Sequence, residues 1–171
     1  MKNSSRHINQ SIESSILIEA PIEIVWDNIT DVKIEEFSDP FLFKLLNIPK
    51  PLKAEIVAEG KGGKRIAYFS SGKKFNQEIL EWELHKRYAF SFNPDKGFKV
   101  GYLLDISDGV FQIRTGAYTL EQKNDSVVEL KLSTDFSLHR YVYPFFIIPV
   151  YIVLRVFQRY LLTSIRKNSV Q

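Results

Sequence analysis

Apolar and polar positions alternate through much of the chain, and a helical spacing replaces the alternation near both ends. The tract SIESSILIEA, 11–20, alternates in part and is rich in isoleucine, so Ile12–Ala20 is expected to be the first strand. Pro21 suits the first turn of a helix, where its fixed φ is already helical and its missing N–H is not needed. Ile22, Val25, Trp26 and Ile29 then fall at helical spacing, which predicts a short helix from Pro21 to Thr30 with one apolar face. Asp39-Pro40 breaks the chain again. Phe41, Leu42, Leu45 and Leu46 predict a second short helix, stopped by Pro49 and Pro51.

Strands are expected at 52–60, 64–71, 74–84, 88–93, 110–122 and 126–138, separated by glycine-containing or polar turns. In the last of these Val128, Leu130, Leu132, Thr134, Phe136 and Leu138 share one face. The stretch 94–109 has loop signals and no clear period. Tyr143 to Lys167 is the longest helical segment, with Phe146, Val150, Val153, Phe157, Leu161 and Ser164 at helical spacing. Run from Pro144 to Lys167, it would span about 36 Å at about 1.5 Å per residue. Strands joined by short turns imply an antiparallel meander, and the long helix must bury its stripe against that sheet, so the fold class is α+β.

Composition narrows the function. A chain of 171 residues, 44% hydrophobic and 25% charged, suits one globular domain with one sizeable core. Residues 1–11 are expected to be a flexible tail and 12–167 the single domain. The net charge of +3 comes from scattered Lys and Arg with no long basic block, which gives little support to nucleic-acid binding. Cysteine is absent, so thiolate chemistry and disulfides are excluded. The polar N-terminus lacks the apolar core of a signal peptide, and a cytoplasmic location is the expectation. His7, His85 and His139 form no metal-ligand spacing, and no nucleotide motif is present, so neither a metal nor a cofactor is expected. His7 and His85 are expected to be solvated, and His139 to be a surface or capping residue. Thirteen phenylalanines, eight tyrosines and two tryptophans suit a core, or the lining of an apolar pocket.

Two segments and the order of elements resemble the START-like superfamily, also called SRPBCC or birch-allergen-like. ILIEAPIEIVWDNITD is similar to its strand–Ala-Pro–helix opening. GKGGKRIAYFSSGKKFNQEILEWE is similar to a polyketide-cyclase-like pattern of Gly, Arg, a Gly turn and a Glu before an apolar pair. The resemblance covers about residues 12–166. It implies a helix-grip fold: a curved antiparallel sheet of about seven strands wrapping the C-terminal helix, with two short helices after the first strand. It also implies a cavity between sheet and helix, and an Arg65 and a Glu78 that face it.

Alternation speaks to only one of those charges. An inward Glu78 brings Asn76, Leu80, Trp82 and Leu84 inward; the other face carries Phe75, Gln77 and Ile79 but would bury Glu81. Alternation therefore favours Glu78 inward, and for Arg65 it leaves both faces open. The expected lining is Arg65, Glu78, Trp82, Tyr88, Phe90, Phe92, Tyr118, Leu132, Val153 and Phe157. Arg114 is expected on the outer face and Arg155 in solvent or at the cavity as an anion-binding group.

The expected function is binding of a hydrophobic or amphipathic small molecule, lipid- or polyketide-like. The alternatives are a cyclase or dehydratase using Glu78 as acid or base, and a surface module using residues 143–157. The run YVYPFFIIPVYIVL, 141–154, is shorter than the about 20 residues of a spanning helix and holds two prolines. It is expected to be core, or an apolar lip for a membrane or a homodimer.

Overall fold

A computed structural model describes residues 6–34, 38–100, 104–105 and 109–170. The chain runs β1 (His7–Ile18), α1 (Ile22–Thr30), β2 (Val32–Lys33), α2 (Phe41–Leu45), β3 (Pro51–Ala58), β4 (Lys64–Phe69) and β5 (Lys74–Glu83). It continues with β6 (Arg87–Ser91), β7 (Asn93–Pro94), β8 (Lys99–Val100), β9 (Leu104–Asp105), β10 (Phe111–Asn124), β11 (Val127–His139) and α3 (Tyr143–Ser169). The main sheet has nine strands in the order β1-β11-β10-β6-β5-β4-β3-β2, with β7 beside β5, and every pairing in it is antiparallel. That count exceeds the expected seven because β2 and β7 are two-residue strands with no pattern to reveal them. The uncertain stretch 94–109 holds parts of β7 and the small β8–β9 pair, and lies partly outside the described residues.

The first strand begins at His7 rather than Ile12. It pairs with β11 from His7↔His139 to Ile18↔Val128. Its opening HINQS is too polar to look like a strand, but an edge position tolerates it because α3 satisfies the polar atoms. Tyr151 donates to the Ser11 carbonyl (3.2 Å), and Arg155 to the Glu13 carbonyl (2.6 Å) and Ser14 Oγ (3.1 Å). Arg155 is therefore a clamp on the sheet edge. His7 is half-buried: its Nε2 lies 2.6 Å from the Gly109 carbonyl oxygen, and its ring meets His139 edge-on at 5.3 Å. His85 is also half-buried, edge-on to Trp26 at 5.8 Å.

The strand register shifts at five places in the main sheet, and two of these bulges set the faces of the strands nearest the site. On β5, Ile79 pairs with Phe90 and Glu81 with Ala89, so Leu80 is an extra residue. On β10, Ile113 pairs with Phe136 and Thr115 with Asp135, which makes Arg114 the extra residue. Each extra residue switches which positions face inward. Before the first bulge Phe75, Gln77 and Ile79 face in; after it Trp82 does. Beyond the second, Gly116, Tyr118 and Leu120 face in while Arg114 is exposed and donates to Asn9 Oδ1.

Two apolar clusters share the sheet and α3. One surrounds α1, with Trp26, Ile79, Tyr88, Tyr118, Leu130, Leu162 and Ile165. The other joins Phe69, Phe75, Phe98, Phe111, Phe136, Val150 and Leu154. The buried residues of α3 are Val150, Leu154, Gln158, Leu162, Ser164, Ile165 and Ser169, so Val150 and Ser164 of the expected stripe are buried and the rest of the face is turned slightly from it.

Candidate functional site

The second cluster does not close on itself. It surrounds a cavity of about 340 Å³ between the curved sheet and α3. Phe69, Phe75 and Phe98 pack at one wall, with ring centroids 4.6–5.0 Å apart. Phe90 and Phe92 form another wall from the end of β6, and Val153, Leu154, Phe157 and Leu161 line it from α3. Leu46, Ile48 and Pro49 border it from the segment after α2. Phe146 and Pro149 line the cavity and also face solvent, so it meets the surface at the start of α3.

Gly116 explains how two phenylalanine rings fit over β10. A Cβ at that position would lie 2.8 Å from Phe90 Cε2 and 3.0 Å from Phe92 Cε2. The first distance is closer than real Cβ atoms approach and the second is unusually tight, so glycine lets the edges of both rings come close to β10.

Few polar side chains reach the lining: Lys53, Arg65, Gln77, Thr134, Gln158 and the Tyr118 phenol. Gln158 is fully hydrogen-bonded. Ser14 Oγ donates to its Oε1 (2.8 Å), while its Nε2 donates to the Ile12 carbonyl (3.1 Å) and to Thr134 Oγ1 (2.9 Å). It ties α3 to β1 and β11. Arg65 is different. It is only 5% exposed, its Nη1 donates to Gln77 Oε1, and its guanidinium lies 4.5 Å from the centre of the Phe90 ring. Its Nε and the Nε2 of Gln77 are buried with no hydrogen-bond partner. Burial pushes the Tyr118 phenol up, and the nearby Arg65 charge pulls it the other way.

The structure brings seven of the ten expected residues to the cavity: Arg65, Phe90, Phe92, Tyr118, Leu132, Val153 and Phe157. Three are elsewhere. Glu78 is exposed and faces away, opposite Lys64, because the Leu80 bulge decouples it from Trp82. Trp82 and Tyr88 pack beside Trp26 in the first cluster, with Trp82 5.1 Å from Trp26 and 5.5 Å from Tyr88. Gln77, Thr134 and Gln158 were missed. Gln77 lay on the face set aside because of Glu81, and Gln158 sits four residues from both Leu154 and Leu162, which was a usable signal. No described Asp, Glu or His lines the cavity.

A curved antiparallel sheet gripping a long C-terminal helix, with two short helices after the first strand, is the START-like or helix-grip fold. Solved structures agree. A truncated norcoclaurine synthase from Thalictrum flavum matches with a TM-score of 0.60 at 14% identity, covering 97% of this chain and 96% of its own. The Zhui aromatase/cyclase from Streptomyces sp. R1128 matches at 0.57 and 13% identity, over 95% of this chain and 94% of its own. A protein from Nitrosospira multiformis matches at 0.58 and 17% identity, over 94% and 96%. No family model matches the chain, and no curated protein matches it in sequence. At these identities the likeness establishes the fold.

Proposed function

We propose that the chain binds a hydrophobic or amphipathic small molecule in the cavity between the sheet and α3. The observation that carries this is the cavity itself: about 340 Å³, walled by phenylalanine, leucine, valine and isoleucine, and open beside Phe146. Small-molecule pockets fall at roughly 300–1,000 Å³. Apolar burial supplies most of the affinity, at about 25 cal/mol per Å² before the costs of association. The norcoclaurine synthase was also solved with dopamine and hydroxybenzaldehyde, and that fold relative holds small aromatic molecules.

Binding fits the lining better than acid–base catalysis does. A general acid or base must reach the reacting group, and the carboxylate expected to do so, Glu78, is on the outer surface. Mass spectrometry of small molecules extracted from the native protein tests the reading. A recurrent apolar compound near one per chain is expected. A protein that is repeatedly empty and takes up no apolar fluorescent probe sinks it.

A second reading concerns how a ligand reaches the cavity. Phe145 and Ile148 are 77% and 69% exposed on the first turns of α3, next to the opening. No acidic residue occurs from Phe136 onward, whereas Arg140, Arg155, Arg159, Arg166 and Lys167 do. An exposed apolar edge on a cationic segment suits contact with an anionic lipid surface. The helix is long and apolar enough to cross a membrane by length and composition. Its Val150, Leu154, Leu162 and Ile165 are buried against the sheet, which favours surface contact over spanning. Co-sedimentation with anionic vesicles is expected, weakened by the double change Phe145→Ser and Ile148→Ser. Absence of vesicle binding, with a concentration-dependent dimer instead, replaces the membrane by a second copy.

A further inference from the structure

The inner faces of β4 and β5 carry an uncompensated charge. The register pairs Lys64 with Glu78 on the outside and Arg65 with Gln77 on the inside. The acidic partner that would neutralise a buried guanidinium is thus one residue away in sequence and turned to solvent. Inside stands a neutral amide. Among the described residues no carboxylate forms an ion pair with Arg65. A buried cation left unpaired costs several kcal/mol by order of magnitude, and a pairing carboxylate offsets that cost only with good hydrogen-bond geometry.

The unmatched groups share one character. Arg65 Nε–H and the Gln77 amide N–H₂ are both donors, both buried, and neither has an acceptor. Gln77 Oε1 is already occupied by Arg65 Nη1, and the Phe90 ring covers a face of the guanidinium. Both residues line the cavity, whose remaining walls are overwhelmingly apolar. Lys53, the other cation of the lining, is ion-paired with Glu55 (3.4 Å), so Arg65 and Gln77 form a small donor-rich spot with one unmatched positive charge in an apolar chamber.

We infer that the cavity takes an amphipathic carboxylate, its anionic head against Arg65 and Gln77 and its apolar body along the phenylalanine walls. This rests on the ligand-binding reading above and specifies its chemistry. A carboxylate supplies one negative charge for the one positive charge, and its two oxygens accept from the planar guanidinium edge and the neighbouring amide. A phosphate monoester carries up to two charges at neutral pH, more than Arg65 balances. A neutral alcohol fills the apolar walls but leaves the charge unpaired.

Calorimetric titration with decanoate, decanol and decyl phosphate separates these at neutral pH. Decanoate is expected to bind at least tenfold more tightly than either. Arg65→Met is expected to abolish the preference over decanol. Gln77→Glu supplies an internal carboxylate to Arg65, so it too is expected to bring the decanoate-to-decanol ratio to one or below, and it keeps the test open should Arg65→Met fail to fold. Equal binding of decanoate and decanol overturns the carboxylate head and leaves the apolar cavity standing, with water sufficing for Arg65. Preference for decyl phosphate overturns it in favour of a phosphate. Binding of none of the three overturns the head-group assignment and the ligand-binding reading together.

Discussion

One sheet and one helix build two unlike ends. Around α1 the interior is packed: Trp26, Tyr88, Leu130, Leu162 and Ile165 are buried against one another, and none of them lines the cavity. Around the start of α3 the same elements stand apart and enclose about 340 Å³. Two features separate the ends. The short helix α1 fills the concave side at one end with Val25, Trp26 and Ile29, each buried. At the other end β10 carries the bulge at Arg114, beside Ile113, which lines the cavity. Stability is therefore expected to concentrate at the closed end, while the open end offers the space for the proposed ligand.

The sharpest way to break this comparison is to truncate one side chain at each end. Leu162→Ala, at 1% exposure, should cost about 2–5 kcal/mol, because the solid surroundings cannot collapse into the void. Phe157→Ala borders space that is already open and should cost clearly less. Urea unfolding of both variants decides, and an equal or reversed order ends the distinction.

Tyr88 gives a pH test of the closed end. Burial pushes its phenol up to about 12, with Arg65 opposing. The folded state then keeps a proton that the unfolded chain releases. The associated stability is fully present below about pH 10, the ordinary tyrosine value, and is lost as pH rises toward 12. A loss on the order of 2 kcal/mol is expected over that window. Tyr88→Phe should reduce it, leaving the part that Tyr118, also raised by burial, contributes. Because the Tyr88 hydroxyl is buried without a partner, the same change should leave neutral-pH stability unchanged or raise it by about 1 kcal/mol. A clear loss of stability at neutral pH would show that the hydroxyl is satisfied.

The smallest expected energy, with a large functional effect, belongs to Gly116→Ala. The added methyl must push the Phe90 and Phe92 rings off β10, and the cavity gives them room. The stability cost is expected to be about 1 kcal/mol, below that of ordinary overpacking. Uptake of an apolar fluorescent probe should fall severalfold. Undiminished uptake would separate the ring positions from the binding volume.

The overall fold was legible because its signals are local. Pro21, the glycine turns and the long alternation of Val128–Leu138 each announce an element from a few residues. The site was legible in part. Aromatic residues on β6 and β10 and the α3 stripe led to Phe90, Phe92, Tyr118, Val153 and Phe157. The orientation of β5 was not, because alternation is a periodic argument and one inserted residue inverts it. Leu80 is an ordinary strand residue, and nothing about it marks a bulge. Trp82 was correctly taken to face inward, and the wrong parity was then carried back through Leu80 to Glu78. The true inward residue, Gln77, followed from the parity of Phe75 and Ile79. The first five residues of β1 escaped for another reason: their strand is held by backbone pairing and by side chains of α3, more than a hundred residues later.

That last pairing also orders events during synthesis. β1 is made before every other described element, and among the described residues its only sheet neighbour is β11. Its clamps, Tyr151, Arg155 and Gln158, come later still. A nascent chain thus holds β1 unpaired until β11, more than a hundred residues later, has been made, and closure of the sheet depends on contacts of very long sequence separation. The polar opening HINQSIESS suits that interval. It keeps the waiting strand in water and gives other chains little apolar surface to join.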